Sequence, residues 1–85
     1  MPNIKSAIKR MRQNEIRRMR NRGRLSEMRT AIKGFRSLVK DGQLDEARAA
    51  LPSVYSVIDR TARHGVIHPN TAARSKSRLT KQLAS

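Results

Sequence analysis

Two stop signals divide this sequence, and between them the apolar residues recur with a helical period. Lys40-Asp41-Gly42 supplies a glycine for a left-handed helix cap, and His64-Gly65 followed by Pro69-Asn70 supplies another. The punctuation predicts helices near residues 4–41, 44–64 and 69–84. In the second, Leu44, Ala47, Leu51, Val54, Ile58 and Ala62 are spaced by three or four residues and so share one face. Met28, Ile32, Phe35 and Val39 repeat in the same way in the first, and Ala72, Leu79 and Leu83 in the third. Three stripes that need mutual cover predict an all-α three-helix bundle. Pro52 falls about two turns into the second helix, where the missing backbone N–H predicts a bend.

The helices differ too much in length to cover one another. At about 1.5 Å per residue the first reaches roughly 55–60 Å, the second about 30 Å and the third about 25 Å. Short connections make neighbours antiparallel, so the second runs back along the first from near Val39 to about Arg20, and the third returns beside it. Within a single domain over residues 1–85, residues 1–20 then project as a basic arm from a bundle over residues 21–85. The apolar phase agrees. At about 100° per residue, Ile4, Ile8, Met11 and Met19 lie on a face roughly opposite Met28, Ile32, Phe35 and Val39. A bend at Gly23 would reduce that difference.

Charge decides what such a bundle can bind. Twenty Lys and Arg against six Asp and Glu give +14, distributed as +11 over residues 1–40, −1 over 41–64 and +4 over 65–85. So large an excess repels itself in the compact state and attracts a polyanion, which makes nucleic acid the expected partner. The interior is poor in bulk: 36% of 85 residues are hydrophobic, and Phe35 and Tyr55 are the only aromatics. Stability should therefore be marginal without a partner. With no cysteine there is neither a disulfide framework nor a thiolate zinc site. No apolar run approaches the roughly 20 residues that cross a bilayer, and no secretory segment is evident, so the chain reads as soluble and intracellular.

The arm and its base carry Lys5, Lys9, Arg10, Arg12, Arg17, Arg18, Arg20, Arg22 and Arg24, distributed around the helix. Like charges at this density are costly without a counter-anion, and arginine predominates, whose planar fork donates two parallel hydrogen bonds to a phosphate. Asn3, Gln13, Asn14 and Asn21 are interleaved and can bond bases, sugars or phosphates. His64 and His68 are four apart, but Gly65 and Pro69 break the helix that a metal pair would need, so no metal is expected and His68 either fixes the turn or contacts nucleic acid. Ser26, Asp59 and His64 supply the residue types of a hydrolase with nothing to position them. We expect neither catalysis nor a cofactor.

Two motifs carry a resemblance. Gly65-Val66-Ile67-His68-Pro69-Asn70-Thr71-Ala72-Ala73-Arg74-Ser75-Lys76-Ser77-Arg78-Leu79 resembles the Gly-x-Ile-His-x-Asn-x-Ala-Ala-Arg-x-Lys-Ser-Arg-Leu signature of the S-twenty family of bacterial small-subunit ribosomal proteins. The opening is similar to it too: Asn3-Ile4-Lys5-Ser6-Ala7 with Lys9-Arg10, then Gln13-Asn14-Glu15, Arg17-Arg18, Arg20-Asn21 and Arg29-Thr30-Ala31-Ile32-Lys33. The Asp59-Arg60 pair before the second turn fits as well, whereas Gly23 and Pro52 depart from the family's pattern.

What the resemblance implies is a structural clamp on small-subunit ribosomal RNA, joining RNA of the 5′ domain to the long penultimate helix and stabilising the fold during assembly. It adds Arg29, Asn70, Arg74, Lys76, Ser77 and Arg78, with His68, to the RNA-binding residues expected on the arm. It implies a place in the cytoplasmic ribosome, or an organellar one, leaves room for other small-subunit proteins, and includes no membrane and no small-molecule substrate. Recognition would rest on RNA shape more than base sequence, because the deep major groove of A-form RNA is hard to read. Two rivals remain at this stage. A DNA-packing protein would share the charge; a membrane-surface helix would want the aromatic anchors that residues 1–34 lack.

Overall fold

The computed structural model describes residues 3–84, with side chains from Lys5 onward. Three helices account for nearly all of it: α1 (Asn3–Lys40), α2 (Leu44–Arg63) and α3 (Pro69–Ala84). Both expected stops are left-handed glycine caps. Gly42 (φ +78°) ends α1, with Gly42 N–H donating to Val39 O and Gln43 N–H to Leu38 O. Gly65 (φ +76°) ends α2 in the same pattern, with Gly65 N–H donating to Ala62 O and Val66 N–H to Thr61 O. A non-glycine residue at either φ would press its Cβ against the next carbonyl. α1 runs through Gly23 and α2 through Pro52 without a break. Pro52 is exposed, and its missing N–H leaves the Arg48 carbonyl without its helical donor.

α2 packs along the C-terminal half of α1, α3 packs chiefly on α2, and α3 barely meets α1. The core joins Met28 and Phe35 from α1, Ala47, Val54 and Ile58 from α2, and Ala72 and Leu79 from α3. Phe35, Ile58 and Leu79 are its largest fully buried side chains, each worth about 1.5–3 kcal/mol in apolar burial. Ala47 and Ala72 are buried at the helix contacts with them. The stripes are only partly covered: Ile32, Val39, Leu51 and Leu83 stay half-buried, and Leu44, expected on the buried face, is 43% exposed. Leu44 is the first residue of α2, beside the end of α1 at Lys40, where no third helix covers it.

Polar contacts fix how α2 sits between its neighbours. Asp59 reaches α3, taking the Lys76 ammonium at 2.9 Å, while adjacent Arg60 reaches α1 and meets Glu27 at 3.6 Å. Lys76 also lies 5.8 Å from the Tyr55 ring centroid, and the Tyr55 hydroxyl bonds that of Thr80. Among the described residues the one buried polar side chain, Thr61, donates to the Val57 carbonyl at 2.8 Å, so its hydroxyl is not left unbonded. The result is a rod of 63 × 21 × 15 Å, set by α1.

Candidate nucleic-acid interface

Every described residue of α1 from Lys5 to Arg20 is exposed, and Asn21 is the first to be partly covered. Along that stretch the helix buries no described residue and its cations have no carboxylate partner: the ion pairs among the described residues are Arg48–Asp45, Arg60–Glu27 and Lys76–Asp59. Lys5, Lys9, Arg10, Arg12, Asn14, Arg18 and Arg22 all face solvent. The side chain of Asn3, expected to bind, lies outside the described residues.

Where the arm leaves the bundle, its flank and the α2–α3 turn enclose an open cleft of about 550 Å³. Gln13, Ile16, Arg17, Arg20, Asn21 and Arg24 line it from α1, and His64 and Gly65 from the turn. The convergence follows from two local facts. Arg17, Arg20 and Arg24 are three and four residues apart and so share one helix face. The Gly65 cap folds the chain back beside that face instead of letting α2 continue past it. Three guanidiniums, two amides and an imidazole meet with no carboxylate among them, a donor-rich surface suited to phosphate oxygens.

On the other side of the turn, His68 Nδ1 accepts the Asn70 backbone N–H at 3.0 Å. With Pro69 as the first residue of α3, His68 occupies its N-cap. Of the two readings its sequence position allowed, fixing the turn is the one with a bond behind it. Asn70, Arg74, Ser77 and Arg78 are exposed on α3, away from buried Ala72 and Leu79. Lys76 differs: its ammonium is held by Asp59 and lies near the Tyr55 ring, inside the α2–α3 contact.

Sequence reasoning missed two features. Residue type offers His64 only as a metal ligand or triad member, yet it lines the cleft; its place at the glycine cap is the available signal. Lys33, Arg36 and Lys40 join Arg29 along a second shallow groove on α1 with Ile32 and Ser37. Their spacing of four, three and four residues marks one face and was readable.

The sequence matches of this chain run the full length of this architecture. The family model for ribosomal protein S20 matches residues 2–84. The chain belongs to the ribosomal protein S20 family. Among its relatives, the small ribosomal subunit protein bS20 of Aquifex aeolicus is 52% identical over 83 residues, covering 98% of this chain and 88% of that one. That of Mycolicibacterium smegmatis is 51% identical, covering 98% and 96% respectively. The Shouchella clausii protein is 47% identical over 98% of this chain and 94% of its own. The S20 assignment makes this chain a structural component of the small subunit type and not an enzyme, and no helix among its described residues is long and apolar enough to cross a membrane.

Proposed function

We propose that this chain is a structural part of the small ribosomal subunit that binds small-subunit ribosomal RNA directly and holds separated RNA segments together during assembly. The carrying observation is the carboxylate-free cleft in which Arg17, Arg20 and Arg24 meet the α2–α3 turn. Residues 1–20 act as an arm and residues 21–85 as the bundle that anchors it. The RNA-binding set comprises Asn3, Lys5, Lys9, Arg10, Arg12, Gln13, Asn14, Arg17, Arg18, Arg20, Asn21, Arg22, Arg24 and Arg29 on α1, with His68, Asn70, Arg74, Lys76, Ser77 and Arg78 around α3. Lys76 must exchange its Asp59 partner to take part. Each phosphate neutralised releases condensed cations, which supplies affinity, while the placement of the arm beside the turn in the bound state supplies shape selection.

The test is co-sedimentation of the chain with small ribosomal subunits, followed by crosslinking from the cleft. Crosslinks from positions 17, 20 and 64 should converge on one RNA neighbourhood. Failure to sediment with subunits, or binding to duplex DNA as tight as to subunit RNA at equal salt, would overturn the proposal in favour of nucleic-acid packing.

A further inference from the structure

The cleft uses one side of the arm and leaves the other unexplained. On that other side Ile8, Met11 and Met19 are 49%, 68% and 66% exposed, among the few large apolar side chains that α1 leaves in water. At about 100° per residue they fall with Glu15 inside an arc of roughly 80°, nearly opposite the cleft-facing Arg17, Arg20 and Arg24. Glu15 is the only carboxylate of the arm, and no ion pair among the described residues engages it. Arg12 and Arg18 border the arc on either side. Apolar side chains gain nothing from phosphate, and a carboxylate is repelled by it, so a polyphosphate backbone alone does not account for this face.

We propose that the face formed by Ile8, Met11, Glu15 and Met19 seats in the minor groove of an A-form RNA duplex, independently of the cleft; this rests on the RNA-binding reading above. The A-form minor groove is wide and shallow and displays ribose 2′-hydroxyls. A helix of about 10 Å diameter can lie along it. Met11 and Met19 then cover ribose carbons. Glu15 accepts a hydrogen bond from a 2′-hydroxyl or a guanine amino group, donors that this groove offers and the phosphates do not. Arg12 and Arg18 reach the strands on the two rims. Charge complementarity on both flanks selects nucleic acid over a protein surface, and the carboxylate in the middle of the ridge disfavours an anionic lipid.

The full chain is titrated at several salt concentrations against a duplex RNA of about 20 base pairs and the same-sequence duplex DNA. Phosphatidylglycerol vesicles form a third arm, with folding followed by circular dichroism. Met11→Ser/Met19→Ser should weaken duplex-RNA binding about tenfold or more at every salt concentration, with the salt slope unchanged because no cation is lost. Glu15→Ala gives a test of sign. Losing a negative charge should tighten DNA binding, yet RNA binding should weaken. Wild-type RNA affinity in the double-serine variant, equal tightening toward both duplexes in Glu15→Ala, or a loss seen only with vesicles would overturn the proposal. If the unaltered chain binds no RNA, the ribosomal-RNA reading falls with it. If the ridge variants are silent while Arg17→Ala/Arg20→Ala/Arg24→Ala flattens the slope, the minor-groove proposal alone fails.

Discussion

Phe35 shows how few side chains hold this bundle. It is 1% exposed, and with Ile58 and Leu79 it makes up the fully buried bulk of the interior. Folding stability for a chain of this size is on the order of 4–13 kcal/mol, and removing a buried Phe ring costs about 3–5 kcal/mol. Phe35→Ala should therefore lose most of the thermal transition; a melt unchanged from wild type would mean that the interior is misassigned. His68 acts more locally. His68→Ala should destabilise by about 0.5–2 kcal/mol through the unbonded Asn70 N–H, and Asn, which accepts in the same place, should restore most of it. Chemical denaturation of the two variants separates a cap from a pure RNA contact, which would leave the free protein's stability unmoved. The Lys76–Asp59 pair, partly open to water, is worth at most about 1 kcal/mol.

At the scale of elements, what could be read in advance was whatever had a local cause. Gly42 and Gly65 announce their caps because a left-handed residue is needed and glycine meets no steric penalty there. The observed ends at Lys40 and Arg63 fall within a residue of the expected ones for that reason. The stripe on α2 likewise marks Ala47, Val54 and Ile58 as core. Leu44 misled because periodicity gives a face, not how far the neighbouring helix extends. His64 was missed because its role is created by the approach of two distant segments, which no spacing in the chain encodes. From Lys5 to Arg20 the helix of the arm has seven basic residues and one acidic, no buried residue, and little beyond its own backbone bonds to stabilise it. Helices of about 12–15 residues are marginal in water even with good sequences, and like charges weaken them further. Circular dichroism should show helix content rising when RNA is added, and equal content with and without RNA would contradict this.

The whole molecule is less compact than its length allows, and the excess is all on one side. Its radius of gyration is 17.5 Å, against about 12 Å for a globular chain of 85 residues. The self-repulsion of +14 is thereby relieved by distance, and the cations of α1 are presented along a rod instead of around a sphere. Such a body binds by charge at many points, and at the junction of arm and turn the cations of the arm meet a second element. Replacing Arg17, Arg20 and Arg24 together with alanine should reduce the slope of log affinity against log salt by roughly two to three, at about 0.7–0.9 per lost phosphate contact. The fold should survive, since Arg17 and Arg20 are exposed and Arg24 only partly covered. Arg48→Ala is the matched control: it removes one cation from near-neutral α2, where Asp45 already stands 3.8 Å away, and should leave the slope nearly unchanged. Both variants are titrated against the same small-subunit RNA fragment at several salt concentrations, with melts run in parallel. A triple variant that kept wild-type affinity and slope while Arg48→Ala lost them would move the RNA surface onto α2 and leave the arginine cleft without a ligand.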